Sequence, residues 1–510
     1  MPDCSHTIDG GNFDRAGEAS GRLKEALKRV GAAPGAVRRT VIAAYEAEMN
    51  VVIHAHGGAL HAVIAPDRVD VDIVDRGPGI PDVDRAMQEG FSTAPDSARA
   101  LGFGAGMGLP NIRKNVDRMA ISSEVGRGTR LHFTVFLTPQ EAGAAPRNSL
   151  RVDARRCTRC LRCLRACPTH ALRVRPPAEG RSALLAQPLS LPHLCIDCGE
   201  CVRACRFRAL RIGCAEALPP PDPRATLAVP FTLTAQRSGA FDEKPALDAL
   251  RAQGWGAVAT TLPWRAALRR ATARFASARK SPWPVLPPFC PAVVNLVLTR
   301  FHALIPHLPP FLGPIEALRQ AHADRPMAFA VSCPAEASAL RDMACAQPTE
   351  AFSVAPLAGL SRQLPPSANG PAPLGPGDAV TGLAPVMEAL ERAENGLLSD
   401  VPVLELYTCT GGCAGSPWLG RPESAEPPPP PREPDLFGGA EAHRQSPLAP
   451  RAGIRLDADM AEAVRKLARI DALTRELPGH NCGDCGAPTC QAAAEDRTLG
   501  RIAVIDCPYR

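Results

Sequence analysis

Cysteine spacing constrains this chain more than any other feature. Cys157-x2-Cys160-x2-Cys163-x3-Cys167 is followed by Pro168, and Cys195-x2-Cys198-x2-Cys201-x3-Cys205 repeats the run with Arg206 in the proline position. A third group, Cys482-x2-Cys485-x4-Cys490-x16-Cys507, closes on Pro508. Thiols at such short intervals share a tight loop and converge on one centre, so these segments are expected to fold around metal. The chain has 510 residues and 19 cysteines. A small secreted chain with this usage would be read as disulfide-bonded. Here the chain is long, its first residues are polar with Asp3, Asp9 and Asp14, and no run of 18 apolar residues occurs. The expectation is a cytoplasmic protein without membrane insertion, its cysteines kept as thiolates for metal.

Composition then divides the chain. Its length corresponds to several domains. There are 54 prolines, about double the average share, so part of the chain is linker. The expected organisation is an ATP-binding domain over 1–140, a cysteine-rich module over 150–214, an Ala/Leu/Pro-rich domain over 226–420, a proline-rich spacer over 421–454 and a last cysteine domain over 455–510. Lys plus Arg is 58 and Asp plus Glu 52, a net charge of +6, too mild to argue for nucleic acid. Aromatic residues at 4% leave little for base stacking.

Residues 10–137 carry four weak signals in a specific order. Glu46 and Asn50, four apart, share one face of a helix. The β-branched run Val71, Ile73, Val74 reads as a strand ending in Asp75-x-Gly77-x-Gly79. Gly102, Gly104, Gly106 and Gly108 precede a further helix, where backbone N–H groups suit phosphate oxygens. A turn with Gly128 and Thr129 opens an alternating strand. Together these resemble the ATPase fold shared by sensor histidine kinases and the anti-sigma-factor serine kinases. The resemblance implies that Asp75 reads adenine, Asn50 holds Mg²⁺ and Glu46 acts as general base of a serine kinase. No two-helix segment with a phosphoacceptor histidine precedes this region, so the anti-sigma type fits better. His54, His56 and His61 read as ordinary structural or surface histidines.

The paired runs resemble the bacterial dicluster ferredoxin. A tight loop supplies three thiolates to a cubane and the distant fourth comes from the other run. That assigns Cys157, Cys160, Cys163 and Cys205 to one [4Fe–4S] cluster, and Cys195, Cys198, Cys201 and Cys167 to the other. A pair of zinc sites is the alternative. Residues 151–175 hold eight arginines and one acid, Asp153. They read as a solvated surface or as a docking face for an acidic redox carrier.

Three separated segments, VLPPFCPAVV, FAVSCPAEAS and LELYTCTGGCAGSPW, resemble the active-site signatures of the [FeFe]-hydrogenase large subunit. Cys290, Cys333, Cys409 and Cys413 match the four thiolates that hold the family's [4Fe–4S] cube, the last of which bridges to a diiron subsite. The catalytic surroundings differ. Phe289 stands for the proton-relay cysteine, Glu336 for the lysine on a diiron cyanide, and Pro309 where a proton-path serine is expected. The resemblance implies a truncated α/β domain with the cubane site kept and dihydrogen turnover lost, and leaves the diiron subsite open. Cys482, Cys485, Cys490 and Cys507 resemble the small four-cysteine [4Fe–4S] domain of electron-transport subunits, with zinc again the alternative. Cys4, Cys214 and Cys345 are left as ordinary thiols.

The expected fold class is therefore multidomain α+β: a kinase-type α/β sandwich, a dicluster ferredoxin fold, a truncated hydrogenase-like domain and a small iron–sulfur domain. About four [4Fe–4S] clusters, ATP and Mg²⁺ are the implied cofactors. The favoured function is a redox or dihydrogen sensor coupled to a serine-kinase-like module. Its partners would be an acidic redox carrier or hydrogenase subunits and a regulatory protein substrate. The competing readings are a divergent iron–sulfur oxidoreductase and a non-catalytic electron carrier.

Overall fold

The structure is a computed structural model describing residues 3–95, 98, 103–138, 150–153, 155–174, 188–212, 219–235, 244–343, 349–353, 379–416, 418, 436, 442–451, 453–501 and 507–509. The chain forms two compact units. One comprises Met1–Gly143, Ile454–Asn481 and Thr489–Arg510; the other comprises Ala144–Gly453 and Cys482–Pro488.

In the first unit, alternation in the sequence becomes a five-stranded antiparallel sheet. Its strands are β1 (Asp3–Asp9), β2 (Gly57–Ile64), β3 (Arg68–Asp75), β4 (Arg118–Glu124) and β5 (Gly128–Phe136), in the order β1-β2-β3-β5-β4. Leu60, Ile64, Val69, Val71, Ile73, Leu131, Phe133 and Val135 point to one buried face, as the two-residue period of a strand requires. The other face is polar: Arg130 pairs with Asp72 at 2.9 Å and Thr134 donates to Asp70 at 2.6 Å. Helices α1 (Glu18–Arg29), α2 (Pro34–His54) and α3 (Gly108–Asn115) belong to the same unit. The small residues Ala43, Ala44 and Ala47 of α2 lie in its core. Glu48, 2% exposed, accepts the backbone N–H groups of Gly17, Ala19 and Ser20 at 3.0–3.1 Å and so satisfies the start of α1.

In the second unit, the paired cysteine runs make two short ribbons. Strand β6 (Leu150–Val152) pairs with β9 (Leu210–Ile212), and β7 (Leu172–Val174) with β8 (Pro188–Ser190). Each run carries one short helix, α4 (Arg162–Arg165) or α5 (Glu200–Ala204). The repeat extends to the backbone: Arg159, Leu161 and His170 have positive φ, and so do Asp197, Gly199 and Arg208 at the corresponding places. The residues that follow build a parallel sheet from β10 (Thr226–Val229), β11 (Ala257–Thr260), β12 (Met327–Val331) and β13 (Thr349–Ser353), in the order β11-β10-β12-β13. Every residue of the two central strands is buried, which is why they read as continuous apolar runs. Helices α6 (Leu262–Ser277), α8 (Pro314–Ala321) and α9 (Pro334–Asp342) pack against this sheet, and α7 (Pro291–Arg300) packs in a second core with Phe289 and Tyr407. A smaller parallel pair, β14 (Ala379–Thr381) and β15 (Glu405–Tyr407), flanks α10 (Leu383–Glu394).

Two boundaries differ from the sequence expectation. Residues 442–451, read as part of a spacer, pack on the second unit: Leu312 N–H donates to Ala442 O at 2.9 Å, Arg444 pairs with Glu316 at 3.2 Å and Arg451 N–H donates to Leu298 O at 2.7 Å. Proline content predicts extension but is silent on which neighbours satisfy the backbone. The helix α11 (Met460–Arg475), read as the opening of a separate domain, instead buries Met460, Val464, Leu467 and Ile470 in the core of the first unit, with Ala494 of α12 (Cys490–Leu499). A short helix with one apolar stripe has no core of its own and finds one on the nucleotide-type sandwich.

Candidate nucleotide and iron–sulfur sites

Helix α2 brings Glu46 and Asn50 to one face, opposite the start of α3. A Cβ at Gly108 would lie 3.1 Å from Asn50 Oδ1 and 3.5 Å from Glu46 Oε2. Asn111, one turn further along α3, donates to Glu46 Oε1 at 2.7 Å. Sequence reasoning missed Asn111; the signal available was its place three residues after Gly108. Burial raises the pKa of Glu46, and the Asn111 hydrogen bond opposes that rise. A carboxylate with a raised pKa suits proton abstraction from a hydroxyl.

Asp75 ends β3, and its Oδ1 accepts the backbone N–H groups of Gly77 at 2.8 Å and Thr129 at 3.2 Å. These bonds fix the carboxylate and leave Oδ2 for a ligand amine. Two glycines are needed here. Gly79 has φ +73° and its Cβ would fall 2.3 Å from Glu124 O; Gly128 has φ +105° and its Cβ would fall 2.2 Å from Asp75 O. Thr129 Oγ1 lies 2.9 Å from Ser123 Oγ. In the glycine loop, Gly104 and Gly106 have positive φ, Gly90 N–H donates to Gly106 O at 3.0 Å, and Phe103 stacks on Phe13 at 5.6 Å. Gly102 lies outside the described residues. Close approaches that admit only glycine beside a fixed carboxylate fit a nucleotide. Asp75, Asn50, Gly77, Gly79, Gly104, Gly106, Gly108 and Thr129 are the residues that would hold it. Among the three histidines, burial lowers the pKa of His54 and the nearby Asp75 opposes this.

In the second unit, one apolar cavity is lined by Cys157, Cys160, Cys163 and Cys205 together with Leu161, Val174, Pro188 and Phe207. Burial pushes the Cys163 thiol up to about 11, and Cys157, Cys205 and Cys160 add to it. Cys195, Cys198 and Cys201 are raised first by burial and then by charges that include Cys167 in each case. Cys333 and Cys413 are likewise raised well above the usual thiol range, by burial first, with Cys290 and Cys409 contributing. Among the described residues no three His, Cys, Asp or Glu side chains close on a point fit for one metal ion, so the fit of a cluster rests on the four-cysteine cavity. Four thiols facing one apolar hollow suit a cubane, whose iron offsets thiolate charge that burial alone would forbid.

The ligand-bearing loops are shaped for this. Cys290 and Cys333 each precede a proline-led helix, α7 and α9, so the positive ends of two helices face the thiolates. Cys290 Sγ lies 3.7 Å from Thr408 Oγ1, beside Cys409. Phe289 is buried and stacks on Tyr407, with ring centroids 6.3 Å apart. Glu336 Oε2 accepts the Ser332 N–H at 2.6 Å; burial raises its pKa and Arg265 opposes. Pro309 is buried in the segment between α7 and α8. The second ferredoxin-type run docks on the same domain. Ser338 donates to Asp197 at 2.8 Å, Asn295 donates to Ile196 O at 3.3 Å and Arg203 to Gly415 O at 2.6 Å.

Of the last four cysteines, Cys482 and Cys485 lie in the loop 482–488 of the second unit. There Arg165 donates to Cys482 O at 3.0 Å and Val174 N–H to Gly486 O at 2.8 Å. Cys490 opens α12 in the first unit, its N–H donating to Asn481 Oδ1 at 2.8 Å, and Cys507 follows α12 in the chain. Cys4 is partly buried in β1; Cys214 and Cys345 lie outside the described residues.

The crossed assignment has a direct check. Cys205→Ser and the double variant Cys157→Ser/Cys205→Ser are expected to lose the same cluster, about four irons. Cys201→Ser/Cys205→Ser is expected to lose about eight. Anaerobic iron and sulfide analysis reads the difference. A Cys201/Cys205 double variant losing only one cluster would assign each run its own.

Three family models match parts of this chain. Residues 36–140 match the family of histidine kinase-, DNA gyrase B-, and HSP90-like ATPases. Residues 156–210 match the 4Fe-4S dicluster domain, and residues 477–509 an Fe-S cluster family. The anti-sigma F factor of Caldanaerobacter subterraneus subsp. tengcongensis is 31% identical over 97 residues, 18% of this chain and 64% of that protein. The serine/threonine-protein kinase RsbT of Bacillus subtilis is 30% identical over 103 residues, 19% of this chain and 71% of the kinase. The chain thus spans somewhat less than two thirds of the length of the anti-sigma F relative. Among solved structures, a variant of [FeFe]-hydrogenase HydA1 from Chlamydomonas reinhardtii covers 49% of this chain and 91% of its own at 15% identity, with a TM-score of 0.29. The mycobacterial sensor histidine kinase MprB covers 26% and 99% at 18% identity, with a TM-score of 0.18. No helix among the described residues is long and apolar enough to cross a membrane.

Proposed function

The chain belongs, through residues 36–140, to the family of histidine kinase-, DNA gyrase B-, and HSP90-like ATPases, and from that premise we propose that it is an iron–sulfur redox sensor whose output is an anti-sigma-type, ATP-dependent serine kinase. One observation carries this reading. The helices α11 and α12, which flank the last cysteine loop in the sequence, are built into the nucleotide unit. Helix α11 shares the core of α1 and α2, and Glu495, five residues after Cys490, pairs with Arg29 of α1 at 2.9 Å with both side chains largely buried. A change of charge at Cys490 therefore acts on an element packed in the ATPase core. Arg501 also holds Glu495, at 2.7 Å, so α12 is tied to α1 through a small ion-pair network.

In this reading Asp75 recognises the adenine amine, Asn50 holds Mg²⁺ and Glu46 takes the proton from a serine hydroxyl of a regulatory protein. Four quartets hold four [4Fe–4S] clusters. Electrons enter from an acidic carrier. In support, Cys160 is exposed, and so are Arg155, Arg156, Arg162, Arg206 and Arg208 around it, while Cys290 and Cys409 are buried. Opposite charge on a carrier would speed encounter at the exposed end.

The test is nucleotide titration and partner phosphorylation under dithionite and under mild oxidant. Coupling of this kind is typically about 1–3 kcal/mol, roughly 5- to 150-fold in affinity. Cys490→Ser is expected to remove the difference while leaving nucleotide binding in place. Identical affinity and identical phosphorylation in both redox states would reject the sensor reading.

A further inference from the structure

Two glutamates of α2, one half-turn apart, are used differently. Glu48 is buried and gives both carboxylate oxygens to backbone N–H groups at the start of α1. Glu46 is partly buried and gives up only one: its Oε1 accepts from Asn111 Nδ2 at 2.7 Å, and Oε2 accepts no hydrogen bond from the described residues. Oε2 faces the gap at Gly108, where a Cβ would lie 3.5 Å from it and 3.1 Å from Asn50 Oδ1. The helix that carries Asn111 is tied down. Pro110 and Ile112 of α3 are buried, and Arg39 of α2 donates to Asn115 O at 3.1 Å and pairs with Asp117 at 2.7 Å. Asn111 N–H donates to Met107 O at 2.8 Å, and its carbonyl accepts from Asn115 Nδ2 at 2.9 Å.

We propose that Asn111 is a positioning residue for phosphoryl transfer: by holding Oε1 of Glu46 it turns Oε2 toward the gap at Gly108, where the acceptor hydroxyl enters; this rests on the reading of Glu46 as general base. An ionised carboxylate only accepts hydrogen bonds, so an amide N–H on one oxygen fixes the plane of the group and leaves the lone pairs of the other for a proton. That orientation matters because phosphoryl transfer depends almost entirely on positioning and electrostatics, and a base displaced by an ångström loses rate. Asn111 can supply it because it sits on a packed helix rather than a loop. The same helix opens directly after the glycine loop, so the base is aimed from the element that begins beside the phosphate seat. In the step, the acceptor O–H proton passes to Oε2 and the acceptor oxygen bonds the terminal phosphorus of ATP. The bond from that phosphorus to the bridging oxygen breaks, and ADP leaves with the electron pair. Asn111 touches neither reacting atom and acts through Glu46.

The experiment is phosphate release from magnesium-ATP by full-length, iron-loaded protein at one fixed redox state, with water as the acceptor and ATP binding followed by calorimetry. Asn111→Leu is expected to lower kcat about tenfold or more while the KM for ATP stays within about twofold, the pattern of an interaction made only in the transition state. Combined with Glu46→Gln it should cost nothing further, because no base is left to orient, an outcome that a merely structural role would not give. An unchanged kcat, a raised KM with kcat held, or the full loss repeated on top of Glu46→Gln overturns the proposal. Should Asn111→Leu lose ATP binding, Asn111→Ser, too short to reach Oε1, decides by the same two comparisons. Parent protein whose phosphate release is absent or indifferent to Glu46→Gln would overturn the base reading itself, distinguishing that failure from a failure of Asn111.

Discussion

Replacing Gly128 with alanine is expected to cost nucleotide binding on the order of a thousandfold, about 4 kcal/mol. At φ +105° an alanine is strained by about 1–3 kcal/mol before any contact is counted. Its Cβ would also stand 2.2 Å from the carbonyl oxygen of Asp75, a separation that no rotamer can relieve because both atoms are fixed to backbone. The strand ends must part, and the hydrogen bond from Thr129 N–H to Asp75 Oδ1 goes with them. Asp75→Asn keeps the backbone and should lose only the scale of one buried hydrogen bond, about 1–3 kcal/mol, with adenine-over-guanine preference reduced. Calorimetry with ATP and GTP, alongside thermal unfolding of each variant, reads both effects. An alanine variant that binds ATP as the parent does would show that this turn is not part of the nucleotide site.

Dihydrogen evolution from reduced dye is expected to be about 10²- to 10⁴-fold below that of a standard [FeFe]-hydrogenase, the usual contribution of a positioned acid or base. The argument is one of protons. Phe289 has no titratable group, is 3% exposed, and is sealed by Tyr407 on one side with Arg265 and Arg269 nearby. Glu336 is engaged by the Ser332 N–H, and Pro309 offers no donor. Anaerobically matured protein assayed with methyl viologen checks this, with infrared spectra reporting any carbonyl or cyanide ligands. Turnover at hydrogenase rates would replace the sensor reading with an enzyme one.

The local parts of this protein were legible because their determinants are local. A three-thiol loop is set by spacing, and the fourth thiol by the existence of a second run. Both the cavity at Cys157, Cys160, Cys163 and Cys205 and the matching positive-φ residues follow from a repeat visible in the letters. Asp75 at the end of a β-branched strand, and Glu46 and Asn50 on one helix face, were likewise fixed by periods of two and four residues. Cys290, Cys333, Cys409 and Cys413 could be grouped only by resemblance, since more than a hundred residues separate the first from the last and no period links them.

Other features depended on which surfaces meet, and a linear pattern carries no record of that. Asn111 looked like any polar residue of α3 until the helix was laid against Glu46. Arg265 is one of four arginines on α6 in the sequence, and only the fold sets it over three aromatic rings. The apolar stripe of α11 announced a helix needing a partner, and the partner proved to be α1 and its neighbours at the far end of the sequence. The sequence by itself determined how thiols, polar side chains and glycines group locally, because spacing, helix period and glycine sterics act over a few residues. The tertiary structure alone decided what those groups stand beside, because burial and electrostatic strength depend on distance through space and on the exclusion of water.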